Sequence, residues 1–255
     1  MEKTVKSEFL VHSLHAYFLL AGDSRKKILY TVERIHDGRS FCRRRVTGKQ
    51  DNRAIFVVTA SFKTAEGDPK LEYQMPNTEM LALLSYFDVP RGGSAMGGLP
   101  SPEELIARGV TPVRDSITGH TITVTICERD NLLLTWRKHE RRLPIDSPWS
   151  DHAAIVAYIT DNGTVSTVRT PFLHNETLWK GKSPPPRTGW GGPSLDHSIH
   201  FHRRFRCDEW HLYVQRTDIT AGGRGLADIK ILTNDGNIVA SCSQEALMRI
   251  PRSAL

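Results

Sequence analysis

The sequence predicts an α+β chain with an internal duplication: two antiparallel meanders, the second served by an apolar helix. Three observations predict it. A His-Ser-aliphatic-His core occurs at His12-Ser13-Leu14-His15 and again at His197-Ser198-Ile199-His200. The offset of 185 between the copies recurs downstream. Gly38-Arg39 falls on Gly223-Arg224, and the turn and strand-like run Asp51–Thr59 falls on Gly236–Gln244. A fixed repeat of this kind constrains the fold before any local reading. Finally, Ala153–Ile159 is apolar all round, which a helix sustains where other structure wraps it.

The elements follow in order. Residues 8–18 read as a strand, and Ala21–Ser24 as a turn. Lys27–Arg34, Ser40–Thr47 and Ala54–Lys63 complete a meander of β-branched and aromatic runs between turn residues. Pro90–Pro100 is bounded by prolines and holds four glycines, so it reads as a flexible linker. A short helix then has Ser101 as N-cap, Pro102 in the first turn, Glu103 and Glu104 beside it, and Gly109 as its end. Thr121–Glu128 and Leu132–Lys138 are strand-like. The clearest helix starts after Ser147, read as N-cap, with Pro148 at the first helical position, and ends at Asn162-Gly163. Residues 163–192 read as a Pro/Gly/Trp-rich insertion. Four strands follow: the 193–201 stretch, Glu209–Thr217, Gly225–Thr233 and Ile238–Leu247. Asn234-Asp235-Gly236-Asn237 marks the last hairpin.

Four segments are expected: a first module over 1–88, a linker with a short helix over 89–120, a second module over 121–251, and a tail over 252–255. By the repeat, the counterpart of the apolar helix would precede Met1. The first module is therefore expected to lack its helix or to keep a remnant in residues 1–9.

The chain has 255 residues, 39% apolar and 24% charged, enough to bury a sizeable core. No run of about 18 apolar residues is present, and Met1–Lys6 lacks the apolar stretch of a secretory signal. Cys42, Cys127, Cys207 and Cys242 form no CxxC pair and read as reduced thiols. A formal charge of +6 favours anionic partners, nucleic acid or a phosphate-bearing small molecule. The basic residues are dispersed and carry no nucleic-acid motif, so nucleic acid is not expected as a partner.

A central helix wrapped by an antiparallel sheet is the hot-dog architecture. In tandem, with Val11–Asp23, Val32–Phe41, Phe56–Phe62, Ala153–Asp161, Leu195–Phe205, Gly222–Leu226 and Gln244–Arg249, the chain resembles the acyl-CoA thioesterase II family of double hot-dog proteins. The resemblance implies an acid at the end of the second central helix, a hydroxyl two residues before the Asp-His-Ser aspartate, and a glutamine. These fall on Asp161, Ser194 and Gln244. It further implies a cofactor-free hydrolase acting on acyl-CoA, with the family's first helix missing here. The alternative is a non-catalytic acyl-CoA-binding relative.

Thioester hydrolysis needs a positioned water, a group to polarise it, and donors for the oxyanion. Asp161 can orient water, Gln244 offers both donor and acceptor, and Ser194 adds a hydroxyl. Taken alone, Asp161 is a D-N-G turn residue, Gln244 an exposed edge position and Ser194 a cap. By the 185 offset, Gln244 stands where Thr59 does. Asp196 and His197, adjacent on a strand, point to opposite faces and are not a dyad. His200 and His202 without a third ligand do not make a metal site. Arg203, Arg204 and Arg224 are candidates for the phosphates of coenzyme A, although Gly223-Arg224 has its double in Gly38-Arg39 and reads equally as a turn. The terminal Ser253-Ala254-Leu255 is close to a peroxisomal address, so an import receptor and a peroxisomal location are expected, with the cytoplasm as alternative. A homo-oligomer is left open.

Overall fold

The computed structural model describes residues 1–65, 71–75, 98–174 and 191–249. The first meander is β1 (Phe9–Phe18), β2 (Leu29–Asp37), β3 (Phe41–Gln50) and β4 (Arg53–Thr64). Next come α1 (Pro102–Ala107), β5 (Val113–Arg114), β6 (Thr121–Arg129) and β7 (Leu132–His139). Two helices follow, α2 (Trp149–Asp161) and α3 (Thr164–His174). The chain then forms β8 (Asp196–Phe201), β9 (His211–Ala221), β10 (Arg224–Leu232) and β11 (Ile238–Leu247). The strands make one antiparallel sheet ordered β2-β3-β4-β1-β8-β11-β10-β9-β7-β6-β5.

That order reads the same from the centre outwards through β1-β4-β3-β2 and β8-β11-β10-β9, as a duplication requires. The two copies of the His-Ser-aliphatic-His core are the strands that pair across the seam. Leu14 lies opposite Ile199, its own counterpart in the repeat, so a pseudo-twofold axis passes between them. Away from the axis the offset slips. Leu14 pairs with Ala60, whereas Ile199 pairs with Cys242. Gln244 therefore stands where Phe62 does, not Thr59. The slip arises in the β3–β4 hairpin: Arg44 pairs with Ala60, 16 residues on, whereas its counterpart Ile229 pairs with Cys242, 13 residues on.

Helix α2 lies on the second half of the sheet. Trp149, Ala153, Val156 and Ile159 recur at helical spacing and are buried. They pack with Ile199, Phe201, Tyr213, Ile229, Ile231, Val239, Ala240 and Cys242, and with Leu10, Val11 and Leu14 from the first half. Each large side chain so buried contributes about 1.5–3 kcal/mol. The helix is not wrapped all round: Ala154 and Asp161 are exposed. Its N-cap is Pro148 without a side-chain bond, one residue later than expected from Ser147.

The same face of the first half carries something else. Arg44, which the repeat sets opposite Ile229, is 1% exposed. It donates to the carbonyls of Thr4, His36 and Arg43, to Thr4 Oγ1, and to Asp37. It thereby ties down the 3-10 turn Glu2–Thr4, and Met1 and Val5 pack on Phe9, Cys42, Ala60 and Phe62. Among the described residues no α-helix covers this half. The short amino-terminal turn does so, as the remnant expectation has it.

Two further expectations change. From Gly98 on, the stretch read as linker is packed: Leu99 and Leu105 are buried with Val124, Leu134 and Trp136, and Trp136 Nε1 donates to Pro100 O at 3.0 Å. Its α1 has the expected Ser101 N-cap, which with Glu104 forms a capping box with both bonds present, and β5 in the same stretch pairs with β6 at the sheet edge. The insertion after Gly163 begins as α3, buried at Thr164, Thr167, Val168 and Thr170. The Ser183–Arg187 stretch, most of Pro90–Pro100 and the Ser253-Ala254-Leu255 tail lie outside the described residues.

Candidate active site

Asp161 ends α2. Asn162 caps it in an extended conformation, and Gly163, at φ +118°, reverses the chain so that α3 starts at once. The buried Arg137 guanidinium seals this corner. It donates to the carbonyls of Ile159 and Asn162, positive charge against the negative end of α2. A Cβ at residue 163 would sit 2.6 Å from Arg137 Nη2. Gly163→Ala is thus expected to cost about 1–3 kcal/mol in backbone strain alone. An unchanged thermal midpoint would contradict this account of the corner.

The corner delivers two side chains to β11. Gln244 is 0% exposed, on the face of β11 that also buries Cys242 and Ala246. Its Nε2 donates to Asp161 Oδ1 at 2.5 Å and to Ser194 Oγ at 2.8 Å. Ser194, bridged to Ala246, donates in turn to Asp161 Oδ1 at 3.4 Å. Thr164 Oγ1 donates to Gln244 Oε1 at 2.7 Å. A buried primary amide is costly unless its groups are paired, and here both N–H protons and the carbonyl are paired. Asp161 is exposed, and its Oδ2 has no protein donor among the described residues. The cluster thus offers an exposed carboxylate, one oxygen held by an amide and a hydroxyl and the other without a protein donor among the described residues. That is an arrangement able to orient water and accept its proton.

Asp161, Ser194 and Gln244 therefore converge, although 83 residues separate Asp161 from Gln244 and 50 separate Ser194 from Gln244. Sequence reasoning missed Thr164. The Thr164, Thr167, Thr170 spacing matches one helix face and signals burial, not a role in the site. Asp196 and His197 point apart as expected: Asp196 Oδ1 accepts from Glu245 N at 2.7 Å, while His197 Nε2 meets Thr160 Oγ1 at 3.0 Å under α2.

The three arginines do not form one site. Arg224 pairs with Leu247 in register and its side chain binds Glu245 Oε1 at 2.8 Å, beside the cluster. Arg203 reaches Ile238 O and Gln74 at the opposite end of β11, about 20 Å away at the rise of a strand. Arg203 and Arg204 instead line a cleft of about 210 Å³ with Lys63, His12, His202 and Trp149.

Other nucleophile–base pairs exist but are poorly suited to attack. Cys207 lies 3.3 Å from His152 Nδ1, yet burial pushes the thiol up to about 12 and lowers the histidine, so the pair is neutral and inert. His12–Ser61, His15–Ser198 and His202–Ser241 each meet at 2.9 Å. None of these rings has a carboxylate hydrogen-bonded to its other nitrogen among the described residues. His200 packs edge-on to His15 at 5.2 Å. Among the described residues no group of three or more His, Cys, Asp or Glu is placed to hold a metal.

Models of the acyl-CoA thioesterase N-terminal and C-terminal domains match residues 1–63 and 115–248. The chain belongs to the acyl-CoA thioesterase II family. This thioesterase is 31% identical to acyl-CoA thioesterase 2 of Haemophilus influenzae, over 94% of this chain and 80% of that protein. It is 29% identical to human acyl-coenzyme A thioesterase 8, over 97% of this chain and 76% of that one. Among solved structures, the acyl-CoA thioesterase II TesB2 of Mycobacterium marinum superimposes with a TM-score of 0.73 at 30% identity. That match covers 99% of this chain and 85% of the other. The chain is a hot-dog thioester hydrolase.

Proposed function

We propose that this thioesterase hydrolyses acyl-CoA to a free fatty acid and coenzyme A by direct attack of a water held by Asp161, Ser194 and Gln244. The observation that carries the reading is the triangle of hydrogen bonds on Oδ1 of the exposed Asp161, which leaves Oδ2 without a protein donor among the described residues. Asp161 Oδ2 takes a proton from the water as its oxygen bonds to the thioester carbonyl carbon. The carbonyl oxygen becomes an oxyanion, and the Ser194 hydroxyl, held to Asp161 only by a long bond, is the donor of the cluster able to turn toward it. Collapse of the tetrahedral intermediate breaks the C–S bond, and the thiolate leaves with the proton held by Asp161. The neutral, buried Cys207 argues against an acyl-enzyme on that residue.

The phosphates of coenzyme A are assigned to the Arg203–Arg204 end of β11. An extended thioester presents its nucleotide away from its carbonyl, and among the described residues that cleft is lined by cationic side chains and no carboxylate, with Glu72 outside it 3.9 Å from Arg203. Arg224, in the closer pair with Glu245 at 2.8 Å, is the weaker candidate.

The test is thiol release from a series of acyl-CoAs of increasing chain length. Wild type should turn over at least one of them. Ser194→Ala should lose about tenfold or more in kcat, the usual scale for one polar contact in such a site. Equal rates for the two proteins would remove Ser194 from the site.

A further inference from the structure

A side-chain amide has nearly the same shape either way round, so packing does not decide which end of Gln244 faces Asp161. Reversed, Oε1 would face the Asp161 carboxylate, acceptor against acceptor, so the carboxylate sets the orientation. One hydroxyl then holds the amide there from its other end. Thr164 Oγ1 donates to Oε1 at 2.7 Å, and both residues are 0% exposed.

The use of that hydroxyl is particular to Thr164. Buried threonines on helices usually bond back to a carbonyl of their own helix. Thr160 does so to Val156 and Ala157, Thr167 to Gly163, and Thr170 to Ser166 and Thr167. Thr164, the first residue of α3, makes no such bond among the described residues. Its hydroxyl reaches across to β11, and the reversal at Gly163 sets Asp161 and Thr164 at opposite ends of the same amide.

We propose that Thr164 is a positioning residue for thioester hydrolysis, its buried hydroxyl holding Gln244 Oε1 so that both Nε2 protons face Asp161 and Ser194. The assignment rests on the roles given above to Asp161, Ser194 and Gln244. Without the hydroxyl the buried Oε1 has no donor among the described residues, and the amide that fixes Asp161 is anchored only at Nε2. The step affected is chemistry rather than binding, so kcat falls while KM holds.

The experiment measures kcat and KM for thiol release by Thr164→Val, Thr164→Ser, Gln244→Ala and the Thr164→Val/Gln244→Ala double variant, on folded protein. Thr164→Val should lose about tenfold or more in kcat, with KM within about twofold. Thr164→Ser should recover most of that loss. On the Gln244→Ala background, Thr164→Val should cost little more, because it acts through the missing amide. Thr164→Val at the wild-type rate beside an impaired Gln244→Ala overturns the proposal and leaves the site reading standing. So does Thr164→Ser as slow as Thr164→Val, which would mark a packing effect. Gln244→Ala at the wild-type rate overturns the site reading itself. If Thr164→Val does not fold, Thr164→Cys, similar in size with a weak donor, takes its place under the same criteria.

Discussion

Between pH 6.5 and pH 4 this thioesterase is expected to lose about 3 kcal/mol of folding stability to His211 alone. His211 is 3% exposed and packs against Phe205 at 4.8 Å. Burial lowers its pKa to about 4, with the bond to Glu209 O opposing only in part. The sign follows from which state binds the proton. In this window the unfolded chain takes up a proton near pH 6.5 and the folded chain does not, so the unfolded state is favoured as pH falls. The contribution is fully present above pH 6.5 and is lost on the way to pH 4. His152 and His197, also lowered by burial, act in the same direction. A second loss follows below pH 3.8. Asp208 would be raised by its burial, but the Arg206 bond and Leu143 N–H hold it down to about 2. Thermal melts at pH 7.5 and 4.5 should differ by about 6–12 °C for a chain of this size. His211→Gln should flatten that difference. A midpoint that stays level across the window would remove buried His211 as a determinant of stability.

The strands were legible because turn chemistry brackets them. Asp51 and Asn52 both take positive φ at the β3–β4 hairpin, and Gly236 does so before β11. The duplication was legible because the residues at its axis, around Leu14 and Ile199, are the ones copied most closely. What sequence spacing does not carry is register. A β3–β4 hairpin three residues longer than the β10–β11 hairpin shifts the alignment of β4 with β11, so an ungapped offset set Gln244 against Thr59 although Phe62 occupies its place. Helix α3 was hidden for a compositional reason: Pro171 and the Pro/Gly-rich run beyond it outweighed the threonine stripe. Asp161, Ser194 and Gln244 came from family resemblance, since each alone passes for a turn, a cap or an edge residue. Thr164 has no local signal for its role, because its partner lies 80 residues away. The basic residues were countable but not placeable: Arg224, at the start of β10, and Arg203, after β8, lie beside opposite ends of β11.

Asp161→Asn is expected to reduce kcat by about 10²- to 10⁴-fold, the range for loss of a general base, with folding stability within about 1 kcal/mol of wild type. The two halves of that expectation come from the same geometry. Asparagine keeps the size of the side chain and an oxygen for the Gln244 and Ser194 donors, so the triangle persists. What it cannot do is accept the proton of an attacking water, because an amide oxygen is far too weak a base. On the stability side two small effects oppose each other. The carboxylate receives charge-assisted bonds from Gln244 and Ser194, which the amide weakens. It also sits at the carboxyl end of α2, where a negative charge opposes the helix dipole by a few tenths of a kcal/mol up to about 1. Its exposure keeps both contributions modest. Activity and stability are therefore expected to separate: thiol release nearly gone, melting midpoint nearly unmoved. Asp161→Ala removes the acceptor as well. It strands the buried Gln244 Nε2 with one partner fewer, which costs about 1–3 kcal/mol. It should be as inactive as Asp161→Asn but less stable. If Asp161→Asn instead turns over acyl-CoA at the wild-type rate, the proton goes elsewhere. The triangle would then be a buried structural lock between α2 and β11, not the seat of the reaction.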